Sequence, residues 1–347
     1  MSSEKLLGDG ETFYKKIRFR YFIKRVIVPL ICVYFLVSMI SFDELVKNMF
    51  PKKSSMESNR PTSNMSIFFI ESKRPKDHVL SLNARQACAL ESAALHNPDF
   101  TVIMYALNVT DLQEMHPYMR ALRQYPNIKI IPTTMQELVK GSIAELWIAQ
   151  GKIEASPMRR THLSDFLRFF LLYQYGGIYL DTDFIVFKSL RDLTPGWAVA
   201  ETGHWIGSAA LGMDVKGESH IAAEYLIREF METYNGTIYA YNGPGLLTRV
   251  AHKFCGTQNT KRMTREMCGN FEILEHDSFF PLAYKMKEPI SDPKSMQDAM
   301  RAIKNSYGMH CWNGMYGSFK LEEGSAIKFL VKKHCPKIYK TVDYVFR

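Results

Sequence analysis

The stretch Gly176-Gly-Ile-Tyr-Leu-Asp181-Thr-Asp183-Phe-Ile-Val-Phe187 constrains this chain more than any other. Two carboxylates stand two residues apart between apolar runs. Side chains at i and i+2 of an extended segment point to the same side, so both acids are expected to emerge together at the end of a buried strand. Like charges at a core edge are costly unless a cation or hydrogen-bond donors compensate them. Two hard oxygen ligands suit Mg²⁺ or Mn²⁺, ions that bridge phosphates. A bare Asp-x-Asp is more often a turn or a solvated loop. Turns, however, favour Gly, Pro, Asn and Ser after the acid, whereas Asp183 runs into Phe184, Ile185, Val186 and Phe187. The context therefore favours metal-assisted chemistry on a phosphorylated ligand.

The surrounding chain reads as an α/β sheet. Ser66–Ile70, Thr101–Tyr105 and Ile128–Ile131 are strand-like, Leu80–His96 is helical up to Asn97-Pro98, and Glu137–Trp147 is expected to be helical. Such alternation is the βαβ pattern, whose open carboxyl edge carries sites. Before the acid motif, Ser164 is expected to cap a helix that buries Phe166, Leu167, Phe170 and Leu171. Asp165 and Arg168 share a face of that helix, three residues apart. Taken alone they would be an exposed ion pair. The closing Gly176-Gly177 joins their helix to the acid-bearing strand, which points to one shared crevice.

The first 60 residues hold eleven Lys and Arg against six acids, a net +5 out of +9 for the whole chain. The remaining positive charge is spread without a basic block, so nucleic acid is not expected as a partner. Val26–Phe42 is 17 residues without a charge, about 25 Å long as a helix. Lys15, Lys16, Arg18, Arg20, Lys24 and Arg25 precede it, and Asp43 and Glu44 follow. The positive-inside rule makes it a signal anchor with a cytosolic N-terminus, short enough for an early secretory bilayer. The expected organisation is a cytosolic tail (1–25), a transmembrane anchor (26–42), a stem (43–64) and a lumenal domain (65–347).

A lumenal setting permits glycans and disulfides. Asn64, Asn108 and Asn235 open Asn-x-Ser/Thr sequons. Five cysteines follow the anchor, an odd number that leaves at least one thiol unpaired, and Cys255–Cys268 would close a short polar loop. Farther on, Gly243-Pro-Gly245 leads into a helix whose N–H groups suit an anion. His310-Cys-Trp-Asn313 offers a metal-ligating imidazole beside Trp312 and Asn313, either of which suits a sugar or phosphate.

Taken together, these segments resemble the DXD-motif glycosyltransferases of the alpha-1,4-galactosyltransferase and alpha-1,4-N-acetylglucosaminyltransferase group. The resemblance runs from about Ile67 to Pro336. Ser164-Asp-x-x-Arg168 with Tyr175-Gly-Gly-Ile-Tyr-Leu-Asp-Thr-Asp183 is its most specific piece, supported by Phe68–Glu71, Cys88–Ala94, Gly243–Val250 and His310-x-Trp-Asn313. It implies a GT-A fold, Rossmann-like with a mixed central sheet, in a single-pass type II membrane protein of the Golgi. The implied activity is retaining transfer of galactose or N-acetylgalactosamine from UDP-Gal or UDP-GalNAc, in α-1,4 linkage, to the terminal sugar of a glycosphingolipid. Asp181 and Asp183 become the catalytic acids, and Asp183 and His310 the ligands of Mn²⁺ (or Mg²⁺). Asp165, Arg168, Gly177, Asp181, Gly243 and Trp312 become the donor-binding residues. Relatives usually carry Asn-Gly on the strand after the acids. Gly207-Ser208 stands here instead, which leaves the acceptor-side group open.

Three other readings fit parts of the pattern. N-acetylglucosamine transfer to glycoprotein glycans and an inactive sugar-nucleotide binder both keep the same donor residues. A haloacid-dehalogenase-type phosphatase also begins with strand-Asp-x-Asp, although Ile185 stands where Thr or Val would follow.

Overall fold

In a computed structural model of the chain, residues 65–282, 290–312, 317–342 and 344–346 are described. The anchor and stem expected before residue 65, with Asn64, lie outside the described residues, as does Asn313. No helix among the described residues is long and apolar enough to cross a membrane.

β1 (Ser66–Glu71), β2 (Thr101–Leu107) and β3 (Ile128–Thr133) lie parallel, with Phe68 opposite Ile103 and Met104 opposite Ile130. β1 and nearly all of β2 are buried, as expected of strands covered on both faces. The Ala84–His96 helix makes the crossover between β1 and β2. It starts four residues later than its composition suggested, because Asn83 caps it by accepting the Gln86 N–H. Glu137–Trp147 is not one helix. Thr134 starts a short helix at Met135–Val139, Gly141 with φ of 70° breaks it, and a second turn of helix covers Glu145–Ala149.

β4 (Gly177–Leu180) then pairs with β1 on the side away from β2. Beyond β4 the sheet becomes mixed. β7 (Ile206–Met213) runs antiparallel to both β4 and β6 (Trp197–Ala200), and β8 (Glu272–Leu274) lies parallel to β6. The strand order is β3-β2-β1-β4-β7-β6-β8. Strand order reverses between β1 and β4, and the carboxyl end of such a switch is where open α/β sheets bind ligands. β5 (Phe184–Val186) leaves this sheet and pairs antiparallel with β9 (Gly308–His310).

The helix before β4 spans Arg159–Tyr175 and is buried around most of its circumference from Leu163 to Leu172. Ser164 is therefore an interior residue and not the cap. Gly176, with φ of 65°, ends this helix. A Cβ on Gly177 would lie 2.6 Å from the Ser66 carbonyl oxygen, so a glycine is what lets β4 approach β1.

Two disulfides are present, Cys88–Cys335 and Cys255–Cys268, and Cys311 is a buried free thiol. The second is the short-loop bridge expected from spacing. The first ties the crossover helix to the chain's last helices across 247 residues, closing a long loop of the kind whose crosslink restricts the unfolded chain most.

Candidate active site

β4 ends at Leu180, and Asp181 to Asp183 form a turn, not a continued strand. The Phe184 N–H donates to the Asp181 carbonyl at 3.3 Å, which closes the turn. Both acids still converge, but the turn brings them together and strand periodicity does not. Asp181 leans back over β4, and its Oδ1 accepts the Tyr179 hydroxyl at 2.6 Å and lies 3.4 Å from Arg168 Nη2. Asp183 leans toward β9, where its Oδ1 is 3.0 Å from His310 Nε2.

Arg168 comes from the helix interior, which holds it where its charge is needed. Its guanidinium donates to the carbonyl and hydroxyl of Ser208 at 2.5 and 3.0 Å and to the Ser164 hydroxyl at 3.2 Å. It pairs with Asp165 at 3.2 Å and covers the Tyr179 ring. Burial opposes its charge, yet Asp181, Tyr179 and Asp165 together hold it protonated. Burial pushes the Asp165 carboxyl up to about 7 despite Arg168 beside it. Asp165 Oδ2 is buried and has no hydrogen-bond partner among the described residues.

Gly243 meets this carboxylate from the other side. It caps the Pro244–Cys255 helix, and a Cβ there would overlap Asp165. The Gly-Pro-Gly loop thus serves close packing against Asp165. Two of its three residues offer no N–H to an anion: Pro244 has none, and Gly245 donates to the Ala240 carbonyl.

His310 is buried between Phe184, Phe280 and Trp312, with ring centroids at 5.0, 5.9 and 4.5 Å. Burial opposes its protonation, but Asp183, Asp181 and Glu201 raise its pKa on balance. Trp312 adopts φ of 51°, a costly conformation for a bulky residue that sets its indole edge-on to His310. Asp181, Asp183 and His310 each offer one ligand atom, all within 4.8 Å of one another. Two carboxylate oxygens and one imidazole nitrogen that converge so closely fit a divalent cation.

Asp165, Arg168, Asp181, Asp183, Gly243, His310 and Trp312 are therefore brought together. Gly177 is not. It lies at the far end of β4 from the acids and serves strand packing. Tyr179 was legible, since it precedes Asp181 by two residues on the same strand face. Ser208 and Glu201 had no local signal, because only the sheet brings them to the acids.

Two family models match the chain. Residues 83–200 match the glycosyltransferase sugar-binding region containing the DXD motif, and residues 215–342 match the alpha 1,4-glycosyltransferase conserved region. Lactosylceramide 4-alpha-galactosyltransferase of Mus musculus is 29% identical over 283 residues, covering 80% of this chain and 76% of its own. The Homo sapiens protein of that name is 28% identical over 291 residues, covering 82% and 79%. Alpha-1,4-N-acetylglucosaminyltransferase of Homo sapiens is 26% identical over 291 residues, covering 79% of each. Solved structures overlie the chain more loosely. The PaToxG glycosyltransferase covers 82% of this chain and 89% of its own at a TM-score of 0.41 and 15% identity, an overlap that bears no weight for the site. With both regions matched in order around the acid motif, the chain belongs to the DXD-motif family of alpha 1,4-glycosyltransferases.

Proposed function

We propose that this glycosyltransferase moves galactose or N-acetylgalactosamine from UDP-Gal or UDP-GalNAc, with retention and in α-1,4 linkage, to the terminal sugar of a glycosphingolipid. One observation carries the reading: the Asp181–Asp183–His310 cluster adjoins a buried Asp165 oxygen with no partner among the described residues. A cation site and an unsatisfied sugar-hydroxyl acceptor then lie side by side, joined through Arg168.

Asp183 and His310, with Asp181 beside them, would hold Mn²⁺. When bound, that ion supplies Lewis-acid stabilisation of the charge gathering on the leaving diphosphate. Asp165 Oδ2 accepts a hydrogen bond from a donor-sugar hydroxyl, which satisfies a buried oxygen that is otherwise costly to leave unpaired. Arg168 fixes Asp165 and Asp181 before substrate arrives, so little reorganisation is needed as charge develops. We read the mixed sheet as a GT-A domain, and residues 26–42 as a type II anchor that holds it in the Golgi lumen beside lipid acceptors. The relatives named for lactosylceramide support a glycolipid acceptor. The relative named for N-acetylglucosamine supports a second reading, with UDP-GlcNAc as donor.

The test is the full chain in detergent, assayed with UDP-Gal, UDP-GalNAc and UDP-GlcNAc against lactosylceramide and other glycolipids. Transfer should vanish in EDTA and return with Mn²⁺. Turnover that survives EDTA removes the metal role, and a preference for UDP-GlcNAc decides for the second reading.

A further inference from the structure

Glu201 follows β6 directly and begins the turn into β7, where its N–H donates to the Trp205 carbonyl at 2.8 Å. Its side chain is half-buried and leans across Gly207. A Cβ on Gly207 would stand 3.2 Å from Glu201 Oε2 and 2.9 Å from the Phe280 ring. The bare backbone at Gly207 is therefore what lets both side chains lie flat against β7. On the next residue, Ser208 turns to the other side of the strand and binds Arg168. β7 thus separates a flank built on Arg168 from a flank that carries Glu201.

The second flank holds Phe280, His276 and His310, and both imidazoles lie within electrostatic range of the Glu201 carboxylate. Among the described residues, that carboxylate makes neither a hydrogen bond nor an ion pair. Burial pushes its pKa up, as expected of a carboxyl taken from water without donors in exchange. It also stands outside the three-residue cluster that fits a cation. A partly exposed carboxylate with no protein donor, close to His310 of the cation cluster, is placed to accept hydrogen bonds from a ligand.

We propose that Glu201 is the positioning carboxylate of the acceptor subsite, accepting hydrogen bonds from hydroxyls of the acceptor sugar beside the cation cluster. A pyranose there presents two or more hydroxyls to the carboxylate, while buried Phe280 backs the Glu201 side chain from within the core. This is also the place where the Gly207-Ser208 pair offers no polar side chain of its own toward the acceptor. The inference rests on the glycosyltransferase reading above and adds to it the group that receives the acceptor.

The experiment uses the full chain in detergent, with UDP-Gal and UDP-GalNAc as donors and octyl lactoside as acceptor. Glu201→Gln and Glu201→Asp are compared with wild type in acceptor KM, UDP affinity and Mn²⁺ affinity. Acceptor KM should rise about tenfold to a hundredfold in Glu201→Gln, the range for losing a hydrogen bond to a charged group. Glu201→Asp should recover part of that loss. UDP and Mn²⁺ affinities should stay within about twofold, which a misfolded protein would not achieve. A lactoside lacking a hydroxyl on its terminal ring should bind wild type more weakly than octyl lactoside does and discriminate less in Glu201→Gln. An unchanged acceptor KM in Glu201→Gln overturns the inference, as does a fall in Mn²⁺ affinity, which would make Glu201 a metal ligand. Wild-type protein that binds no UDP-sugar overturns the function itself, and the role of Glu201 with it.

Discussion

Arg168 and His310 stand on opposite flanks of the same acid pair, and the fold treats them in opposite ways. Arg168 is bonded to Ser164 and Ser208, paired with Asp165 and Asp181, and stacked on Tyr179. His310 meets Asp183 through Nε2 and lies 3.9 Å from Asp181, while its buried Nδ1 has no hydrogen-bond partner among the described residues. The Arg168 guanidinium is completed by protein, whereas the Asp181–Asp183–His310 set is arranged for a cation. A buried guanidinium is tolerable only with its donors satisfied. Once satisfied it becomes a rigid reference that fixes both carboxylates. The cation flank is held instead by aromatic packing, which sets direction without using up the ligand atoms.

The comparison breaks most severely if Arg168 is dispensable. Arg168→Ala leaves Asp165 buried without its partner and should cost about 3–5 kcal/mol, read as a fall in urea midpoint together with lost transfer. A wild-type midpoint would mean that this flank is no scaffold. Asp183→Ala should separate the two properties. Transfer is expected to fall about a thousandfold, the scale of several kcal/mol of charge stabilisation, while stability changes by less than about 1 kcal/mol. Parallel losses of stability and activity would erase the distinction between flanks.

The smallest effect sharpens the electrostatics. Burial raises Asp165 from 3.8 to about 7, so its contribution to stability is full below about pH 3.8 and is lost as pH rises through about 7. Asp165→Asn cannot ionise and should lack this loss. The urea midpoint of wild type relative to the variant should therefore fall between about pH 4 and pH 7. Parallel pH curves would show that Arg168 offsets the burial of Asp165 completely.

Much of the site was legible because its residues are local. Asp165 to Arg168 and Tyr179 to Asp183 lie within one helix, one glycine joint, one short strand and the turn that ends it, all close in sequence. The errors fell where tertiary contacts override local preference. Ser164 has the chemistry of a cap, but the helix begins five residues earlier at Arg159 because the core can bury another turn of it, including Leu163. Gly177 stands beside the motif in sequence yet serves β1, since the strand separates it from the acids. Gly243 looked like a phosphate cradle and instead makes room for Asp165.

By itself the sequence determined the acid pair, its helix partner, the α/β alternation and the Cys255–Cys268 bridge, because each depends on residues close in sequence, through a local turn, a periodic pattern or a short loop. Tertiary structure alone decided that His310 closes on Asp183 and that Ser208 braces Arg168. These residues meet across β-pairings separated by long stretches of chain. No local preference encodes such pairings, and they form only when burial of the whole sheet outweighs the entropy of closing the loops between them.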